Sequence, residues 1–492
     1  MTNLIASDQK RLIIGMGQTG LSCARFLTAK GLSFDLCDTR DALPNQAAIE
    51  KEFPQSRIYN GGFDSEFNGQ LNAEQLAQYH ELIVSPGIAI SEPAIAFAQQ
   101  QGSRIRGDVD LFAEYVSKPV IAITGSNGKS TVTTVVGDIL AAAGHKPAVC
   151  GNIGLPVLDV LLNDESYSCY VVELSSFQLE TTHGLGADVA CVLNISEDHM
   201  DRYDSMMAYH QAKHRVFQNC RSIVINRDDD LSQPLVSRDM PVKSFGLEMA
   251  SNYTSASLVE VKNQYGIALQ SIDGAAEIEY LMREKQALFP VAQLKVKGRH
   301  NQLNALAAIA LVDSLPSGFE VTIEQLNSAL SNFVGLPHRC AWVAEHHGVT
   351  YFNDSKGTNV GSTIAAIDGL ASSDESKNII LVAGGEGKDQ DFEPLSKACE
   401  STVKSVQLFG RDAQKIADSL ATYCKFSIFA TLEQALASAQ VIAEKEDIVL
   451  FSPACASFDQ FKNYVERGQV FEQLVAEIND TVINGTVFND TD

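Results

Sequence analysis

The chain has 492 residues, too many for one hydrophobic core, and two to four domains are expected. Its formal net charge of −24 argues against a nucleic-acid or anionic-membrane surface, because both need clustered Lys and Arg, but anionic small molecules stay possible. The ten cysteines include no CxxC pair, so neither a zinc site nor a disulfide framework is indicated. The sequence shows neither a signal-peptide pattern nor an apolar window of about 18 residues, and a cytoplasmic location is expected.

The first segment alternates short apolar strands with glycine turns. Strands are predicted at 11–14, 33–37 and 81–84, and helical spacing follows the first strand at 21–28. The turn Gly15-Met16-Gly17-Gln18-Thr19-Gly20 has the form GxGxxG, and Asp38 stands where a dinucleotide fold places its ribose-binding acid. Three interpretations stay open: an NAD site, a structural βα turn, or a pocket for the diphosphate and sugar of a nucleotide-linked substrate.

Two further α/β segments follow. The second has predicted strands at 120–123, 170–173, 189–194 and 222–226, helices at 130–143 and 302–313, and a β-rich stretch at 244–297. The third has predicted strands at 349–352, 378–382, 405–409 and 447–451, with helices at 359–370, 411–419, 432–443 and 457–475. Strands separated by helices predict a parallel sheet in each segment. The polar tail after 482 is expected to fray.

These patterns predict an α/β protein of three consecutive α/β domains. The predicted boundaries are 1–117, 118–334 and 335–492. The N-terminal and C-terminal domains are expected to be Rossmann-like, and the central domain to resemble a P-loop ATPase.

A phosphate-binding loop is predicted after the strand at 120–123. Thr124-Gly125-Ser126-Asn127-Gly128-Lys129-Ser130-Thr131 combines glycines that let the backbone close on a phosphate, a lysine that neutralises it and a hydroxyl for magnesium. The usual GxxxxGK[ST] pattern needs glycine at 123, where Ile123 stands, so the loop is a shorter variant. The alternative is a glycine-rich turn with an exposed lysine.

Candidate magnesium ligands follow two predicted strands of the second segment. Glu173 ends one strand, and the polar run with His199 follows another, at the edge where α/β sheets bind ligands. Magnesium needs few protein ligands, since it keeps water and substrate oxygens. The alternative for His199 is a structural histidine. The pattern around Lys213 by itself predicts a solvated lysine on a helix.

Together these motifs resemble the Mur ligases, which build the peptide stem of the bacterial cell wall, and their folylpolyglutamate synthase relatives. The resemblance covers nearly the whole chain. It rests on the following motifs: SPGI (85–88), TGSNGKST (124–131), GNIG (151–154), ELSSFQLE (173–180), NISEDHMDRY (194–203), GLPHR (335–339), NDSKGTN (353–359), GGEGKDQDF (384–392) and SPACASFDQFKNYVERG (452–468). The last four motifs resemble those of the family members that add D-glutamate. Gly357 and Glu386 depart from the family's usual residues, and Gly357 is expected to loosen its turn without removing a functional group.

The resemblance implies a role for each matching position, with ATP and Mg2+ as cofactors. ATP would be bound by Gly125, Ser126, Asn127, Gly128, Lys129, Ser130, Thr131, Arg339 and Asp354. The metal would be held by Ser130, Glu173, His199 and Lys213, the last as a carbamylated lysine, and Lys129 would serve catalysis with the last three. The uridine-diphosphate substrate would be bound by Gly17, Thr19, Asp38, Thr39, Arg40 and Asn152. D-Glutamate would be bound by Lys356, Thr358, Lys388, Ser452 and Phe461.

The resemblance therefore implies an ATP-dependent ligase that joins D-glutamate to UDP-N-acetylmuramoyl-L-alanine through an acyl phosphate. The ligase is expected to act on small molecules, without nucleic acid or membrane, and to be a monomer. Three alternatives remain: a nicotinamide-dependent dehydrogenase, a non-enzymatic nucleotide-binding regulator, and a sister ligase that adds another amino acid.

Overall fold

The computed structural model describes residues 9–43, 45–63, 71–235, 237, 239–249, 263–271, 276–371 and 376–478. These residues pack into two compact units. The first unit comprises Met1–Ile195, Met207–Pro290 and Ala305–Leu330, and the second comprises Ser196–Met206, Val291–Asn304 and Ser331–Asp492. The tail after 482, predicted to fray, lies outside the described residues. The predicted boundaries at 117 and 334 stay predictions.

The first unit begins with a parallel sheet of order β3-β2-β1-β4-β5. Its strands are β1 (Arg11–Ile14), β2 (Asp35–Asp38), β3 (Ile58–Asn60), β4 (Glu81–Val84) and β5 (Arg104–Arg106). Its helices are α1 (Gln18–Ala29), α2 (Gln46–Glu52), α3 (Ala73–Leu76), α4 (Pro93–Gln100) and α5 (Asp108–Tyr115). All four residues of β1 and of β4 are buried, as expected for strands covered on both faces.

A second sheet in the same unit has the order β14-β13-β12-β11-β10-β9-β6-β8-β7. Its strands are β6 (Val120–Thr124), β7 (Pro147–Gly151), β8 (Cys169–Glu173), β9 (Val189–Val192), β10 (Ser222–Asn226), β11 (Val242–Glu248), β12 (Asn263–Gln270), β13 (Ile278–Arg283) and β14 (Gln286–Pro290). The helices that accompany it in the chain are α6 (Lys129–Ala142), α7 (Val157–Leu161), α8 (Ser176–Glu180), α9 (Met206–His214), α10 (Arg299–Val312) and α11 (Ile323–Asn332).

The two sheets of the first unit are joined through helices. The Arg25 guanidinium of α1 donates two hydrogen bonds to the Asp159 carboxylate of α7, at 3.0 and 2.6 Å. On the neighbouring α5, the Asp108 carboxylate accepts a 3.0 Å hydrogen bond from the amide of Gln178 in α8. The Gln178 side chain also completes the capping box of α8, which begins three residues after Glu173 in the chain.

The second unit contains a sheet of order β15-β16-β20-β17-β18-β19. Its strands are β15 (Ala341–His346), β16 (Val349–Asn353), β17 (Ile379–Gly384), β18 (Val403–Phe409), β19 (Phe426–Phe429) and β20 (Ile448–Phe451). Its helices are α12 (Val360–Leu370), α13 (Glu393–Thr402), α14 (Ala413–Leu420), α15 (Leu432–Ile442) and α16 (Tyr464–Ala476). Two apolar clusters cover its two faces, one packed with α12 to α14 and the other with α15 and α16.

The α/β fold class is confirmed, but the prediction of a purely parallel sheet is wrong for two of the three sheets. Strands β12, β13 and β14 pair antiparallel, and so do β15 and β16. No helix stands between these strands among the described residues, and a short connection allows only antiparallel pairing. The β15–β16 turn is His347-Gly348 with φ of 53° and 79°, as the tight turns of antiparallel hairpins require.

Some element bounds also differ from the prediction. The helix expected at 457–475 begins at Tyr464, because Asn463 caps its first turn by accepting from Glu466 N, and the residues before it form a loop. Helix α13 and strand β19 were missed. Strand β19 is short and half-exposed, so it carries little of the apolar signal on which strand prediction rests.

Candidate active site

The phosphate loop leaves β6 and is held by its neighbour β9. Gly125 has a φ of 153°, and a Cβ there would lie 3.0 Å from Leu193 Cβ, so only glycine fits. Ser126 N donates to Asn194 O at 2.9 Å, and Asn127 N donates to Asn194 Oδ1 at 2.8 Å. Asn194, not predicted as a site residue, therefore fixes the loop. Gly128, with a φ of 80°, is the N-cap residue directly before α6.

Lys129 lies within this loop. Its Nζ donates to Gly125 O and to Ser126 O, each at 2.8 Å. Ser130 and Thr131 are buried in the first turn of α6, where the helix N-terminus carries partial positive charge. A cation, a helix N-terminus and a glycine turn thus converge, which is the arrangement that binds a phosphate. The alternative of a glycine turn with an exposed lysine is inconsistent with this geometry, because the Lys129 Nζ is bonded to two carbonyls of the loop.

Glu173 ends β8 and pairs in register with Ile123 of β6, one residue before the loop segment begins. It is 2% exposed, and its Oε1 accepts from Asn152 Nδ2 at 2.9 Å. Its Oε2 is buried and accepts no hydrogen bond from the described residues. Such an oxygen is expensive to leave unpaired, and a bound cation would satisfy it. The donor set therefore fits a divalent cation.

Lys213 is not a solvated helix lysine. It is 2% exposed, and its Nζ donates to Gly125 O at 2.8 Å, the carbonyl that also accepts from Lys129. The same Nζ lies 4.5 Å from the ring centre of Tyr209, whose hydroxyl is 3.0 Å from Ser126 Oγ. The α9 helix thereby brings Lys213 to the phosphate loop.

In the glycine fingerprint after β1, one glycine is required by close packing, and another lies beside open space. A Cβ on Gly20 would lie 1.8 Å from Gly15 O, so that glycine is needed for helix–strand contact. Gly17 is exposed, and a Cβ there would meet no atom within 4 Å. Protein packing therefore does not explain Gly17, whereas close approach of a ligand would.

Asp38 ends β2 beside this turn. Its Oδ2 accepts from Met16 N at 2.6 Å, and Arg40 donates to Oδ1 from its backbone at 3.0 Å and from Nε at 2.7 Å. Burial raises the pKa of Asp38, but the bonds from Arg40 and Met16 outweigh it and hold the pKa below its ordinary value. Asp38 is thus an anion that orders the turn and Arg40. Thr19 is half-buried, and Thr39 and Arg40 are exposed at the same edge.

The second unit gathers three loops at the carboxyl ends of the adjacent strands β16, β20 and β17. Asp354 follows β16, Ser452 follows β20, and Lys388 lies in the loop after β17. Ser452 Oγ donates to Asp354 Oδ2 at 2.6 Å, and Cys340 N donates to Oδ1 at 3.0 Å. Burial raises the pKa of Asp354 to about 7, although the Ser452 bond and the Arg339 charge act against the rise.

The absence of a side chain at Gly357 makes room for this pair. A Cβ there would lie 2.4 Å from Asp354 Oδ2 and 2.7 Å from Ser452 Oγ. Glycine therefore allows the close contact of Asp354 with Ser452, rather than simply loosening the turn.

The remaining predicted residues of the second unit occupy varied settings. Lys356 Nζ lies 4.0 Å from the ring centre of Tyr464, and Thr358 is half-buried. Ser452 is fully buried, and Phe461 is partly buried against the core. These geometries leave the D-glutamate roles as predictions.

His199 belongs to the second unit, with the segment Ser196–Met206. Its Nε2 lies 3.6 Å from Asp198 Oδ2. Asp198 is buried, forms an ion pair with Lys388 and accepts from Asn359 Nδ2 at 3.2 Å. Asp198, missed by the sequence prediction, thus connects the His199 segment with two loops of the third sheet.

No group of three or more His, Cys, Asp or Glu side chains that could hold a metal ion occurs in the described part of the chain. A magnesium site does not need such a group, because magnesium takes few protein ligands and keeps water and substrate oxygens. None of the helices in the described ranges is long and apolar enough to cross a membrane.

Three family models match successive parts of the chain. The Mur ligase MurD-like N-terminal domain matches residues 9–107, the Mur ligase middle domain 123–312, and the Mur ligase glutamate ligase domain 338–455. Among solved structures, the alanine ligase MurC of Thermotoga maritima is 19% identical, with a TM-score of 0.55 over 95% of this chain and 99% of that one. MurF of Acinetobacter baumannii is 16% identical, with a TM-score of 0.55 over 96% of this chain and 90% of that one. Both likenesses show the fold.

Curated relatives named UDP-N-acetylmuramoylalanine–D-glutamate ligase align along almost the whole chain. The protein of Pseudomonas syringae pv. tomato is 46% identical over 96% of this chain and 99% of its own length. Those of Pseudomonas aeruginosa and Hahella chejuensis are 44% and 45% identical over 97% and 96% of this chain, and 100% and 99% of their own lengths. The chain therefore belongs to the Mur ligase family, and within it to the group that carries this name. As such it is an ATP-dependent ligase, which confirms the resemblance and is inconsistent with a dehydrogenase or a non-enzymatic regulator.

Proposed function

We propose that the chain uses ATP to join D-glutamate to UDP-N-acetylmuramoyl-L-alanine in peptidoglycan precursor synthesis, releasing ADP and phosphate. The near-full-length similarity to relatives of that name supports the substrate pair and disfavours a sister ligase. The structural observation that carries the proposal is the buried Glu173 oxygen without a donor, one strand from the phosphate loop. It supports phosphoryl chemistry assisted by a cation.

Lys129 and the N-terminus of α6 would offset the negative charge of the γ-phosphoryl group as it is transferred. The substrate carboxylate attacks the γ-phosphorus, giving an acyl phosphate and ADP. The amine of the amino acid then attacks the acyl carbon, and the tetrahedral intermediate expels phosphate. Activation is needed because a carboxylate is a poor electrophile. Gly125, Ser126, Asn127, Gly128 and Thr131, with Arg339 and Asp354, would complete the ATP contacts.

The proposed magnesium ligands are Ser130, Glu173, His199 and carbamylated Lys213. A bound Mg2+ would supply positive charge against phosphate oxygens. In carbamylation the Lys213 ammonium first loses a proton to give the amine, and Nζ then bonds to CO2 with loss of a second proton, which leaves an anionic carbamate. The burial of Lys213 and its contact with the phosphate loop support this role, since a solvated helix lysine would need neither.

The substrates are assigned to three domains, 1–117 for the uridine-diphosphate substrate, 118–334 for ATP and 335–492 for the amino acid. The first substrate would contact Gly17, Thr19, Asp38, Thr39, Arg40 and Asn152. D-Glutamate would contact Lys356, Thr358, Lys388, Ser452 and Phe461. A cytoplasmic monomer that acts on small molecules alone completes the proposal.

Phosphate release from ATP tests this function. The purified chain is mixed with UDP-N-acetylmuramoyl-L-alanine, Mg2+ and a panel of amino acids that includes both glutamate enantiomers. We expect phosphate release when D-glutamate is the amino acid and no release with any other amino acid of the panel. Release with a different amino acid would instead indicate a sister ligase, and no release with any of them would refute the proposed reaction.

A further inference from the structure

Arg467 is the largest fully buried side chain in the part of the chain that the structure describes. It lies on α16, and its hydrogen-bond partners lie in the loops that follow β16 and β20. Its Nε donates to Ser355 Oγ at 3.2 Å and its Nη2 to Ser355 O at 2.8 Å. The same Nη2 donates to Cys455 O at 3.0 Å, and Nη1 donates to Ala456 O at 3.1 Å.

This guanidinium is costly to bury. Among the described residues its hydrogen bonds end on three carbonyl groups and one hydroxyl, and none of these acceptors is a carboxylate. Burial accordingly lowers the pKa of Arg467 to about 10. A charge kept in such a place is expected to stabilise a particular arrangement rather than the fold in general.

The four bonds connect two loops that the proposed reaction needs. Ser355 lies between Asp354 and Lys356 in the loop after β16, whereas Cys455 and Ala456 lie in the loop after β20. The planar fork fits this task because two nitrogens reach three carbonyls of different loops at once. A lysine has a single nitrogen and cannot span them.

The third loop is attached through Ala456. Ala456 N donates to Glu386 O at 2.8 Å, and Glu386 N donates to Ala456 O at 3.0 Å, two residues before Lys388. A Cβ on Gly385 would lie 3.2 Å from Arg467 Nη1, so this loop also packs on the guanidinium. All three loops that carry proposed amino-acid contacts therefore meet at Arg467.

We infer that Arg467 is a positioning residue for the amino-acid pocket, holding the loops at 353–359, 384–392 and 452–461 in register. The inference rests on the proposed function for the identity of the amino acid. It does not require Arg467 to touch substrate.

The test compares Arg467→Lys with Arg106→Lys, a matched control. Arg106 is also buried, but it bonds Glu81 and Asp110 O in the first unit. Steady-state kinetics would measure the KM of each substrate, and amide hydrogen exchange without substrates would measure opening of the loops. We expect Arg467→Lys to raise the KM for D-glutamate by about tenfold or more, while the KM for the uridine-diphosphate substrate stays within about twofold.

Exchange at residues 355–357 and 455–456 should accelerate in Arg467→Lys and stay unchanged in Arg106→Lys. An unchanged KM for D-glutamate, or equal rises in both KM values with unchanged exchange, would overturn the inference. Failure of the wild-type chain to use D-glutamate would instead refute the proposed function, and the exchange measurement alone would then decide the role of Arg467. Arg467→Met, which removes all donors, should accelerate exchange further.

Discussion

Replacement of Asp354 by Asn should stabilise the second unit at alkaline pH, although Asp354 is a predicted ATP contact. The substitution preserves shape, and Cys340 N can still donate to the remaining oxygen. Ser452 Oγ lies 2.9 Å from Thr363 Oγ1, so it can donate there and accept from the new amide. The variant therefore removes a buried charge, and one of the two N–H groups of the new amide is paired with Ser452 Oγ.

The magnitude follows from the pKa of Asp354, which burial raises from 3.8 to about 7. Because the folded pKa lies above the unfolded one, the folded state binds more protons between these values, and unfolding free energy falls as pH rises through this window. Each pH unit corresponds to about 1.4 kcal/mol, so the ionised carboxylate costs at most about 4 kcal/mol above pH 7. At pH 5, which lies closer to the unfolded pKa, the same arithmetic gives a loss of unfolding free energy of about 2 kcal/mol.

Thermal unfolding monitored by calorimetry at pH 8 and pH 5 measures this effect. For a unit of this size each kcal/mol moves the melting temperature by about 2–4 °C, so Asp354→Asn should melt up to about 16 °C higher at pH 8, with a smaller gain at pH 5. A melting temperature at pH 8 equal to or below that of the wild type would refute the reasoning.

Asp412→Asn is a control in the same unit, because the pKa of Asp412 is shifted in the opposite direction to that of Asp354. Burial raises the pKa of Asp412, but the 2.7 Å bond from Gly387 N and the contact with Lys415 outweigh it and lower the pKa below its ordinary value. Its ionised form thus contributes stability above that ordinary pKa, and the contribution is lost as pH falls through the folded pKa. Asp412→Asn should melt lower at pH 8.

Three further predictions concern activity. Lys129→Ala should abolish turnover with an unchanged circular dichroism spectrum, and normal phosphate release would defeat the ATP-loop assignment. Lys213→Ala should be inactive and regain part of its activity with added short carboxylates; full activity without them would remove the carbamate proposal. Gly357→Ala should raise the KM for ATP several-fold, because its methyl group would displace Asp354 or Ser452; kinetics equal to the wild type would show that the contact is dispensable.

Much of the candidate site was predictable because its residues are local in sequence. The loop at Thr124–Thr131 contains its glycines, lysine and hydroxyls within eight consecutive positions, and its strand–turn–helix setting is visible in the apolar pattern. Glu173 was recognisable for a similar reason, since it ends a continuous buried strand. Short-range pattern and chemistry suffice for such features.

The residues that the sequence did not reveal act across long separations. Asn194 holds the phosphate loop from 67 positions away, and Arg467 bonds Ser355 from 112 positions away. Arginine and asparagine side chains have no periodic signature in the sequence, and their contacts become visible only when distant loops meet. The antiparallel pairing of β12 to β14 likewise depended on connections that a parallel α/β pattern does not anticipate.

The sequence by itself determined the α/β class, the family, the phosphate loop and the acid that ends β8, because each is written in contiguous residues or in strand periodicity. Only the tertiary structure decided that Lys213 is buried against Gly125 O, that Glu173 keeps an oxygen without a donor, and that Gly357 makes room for the Asp354–Ser452 contact. Burial and hydrogen bonding between distant segments set these properties. They arise only when the chain brings the segments together.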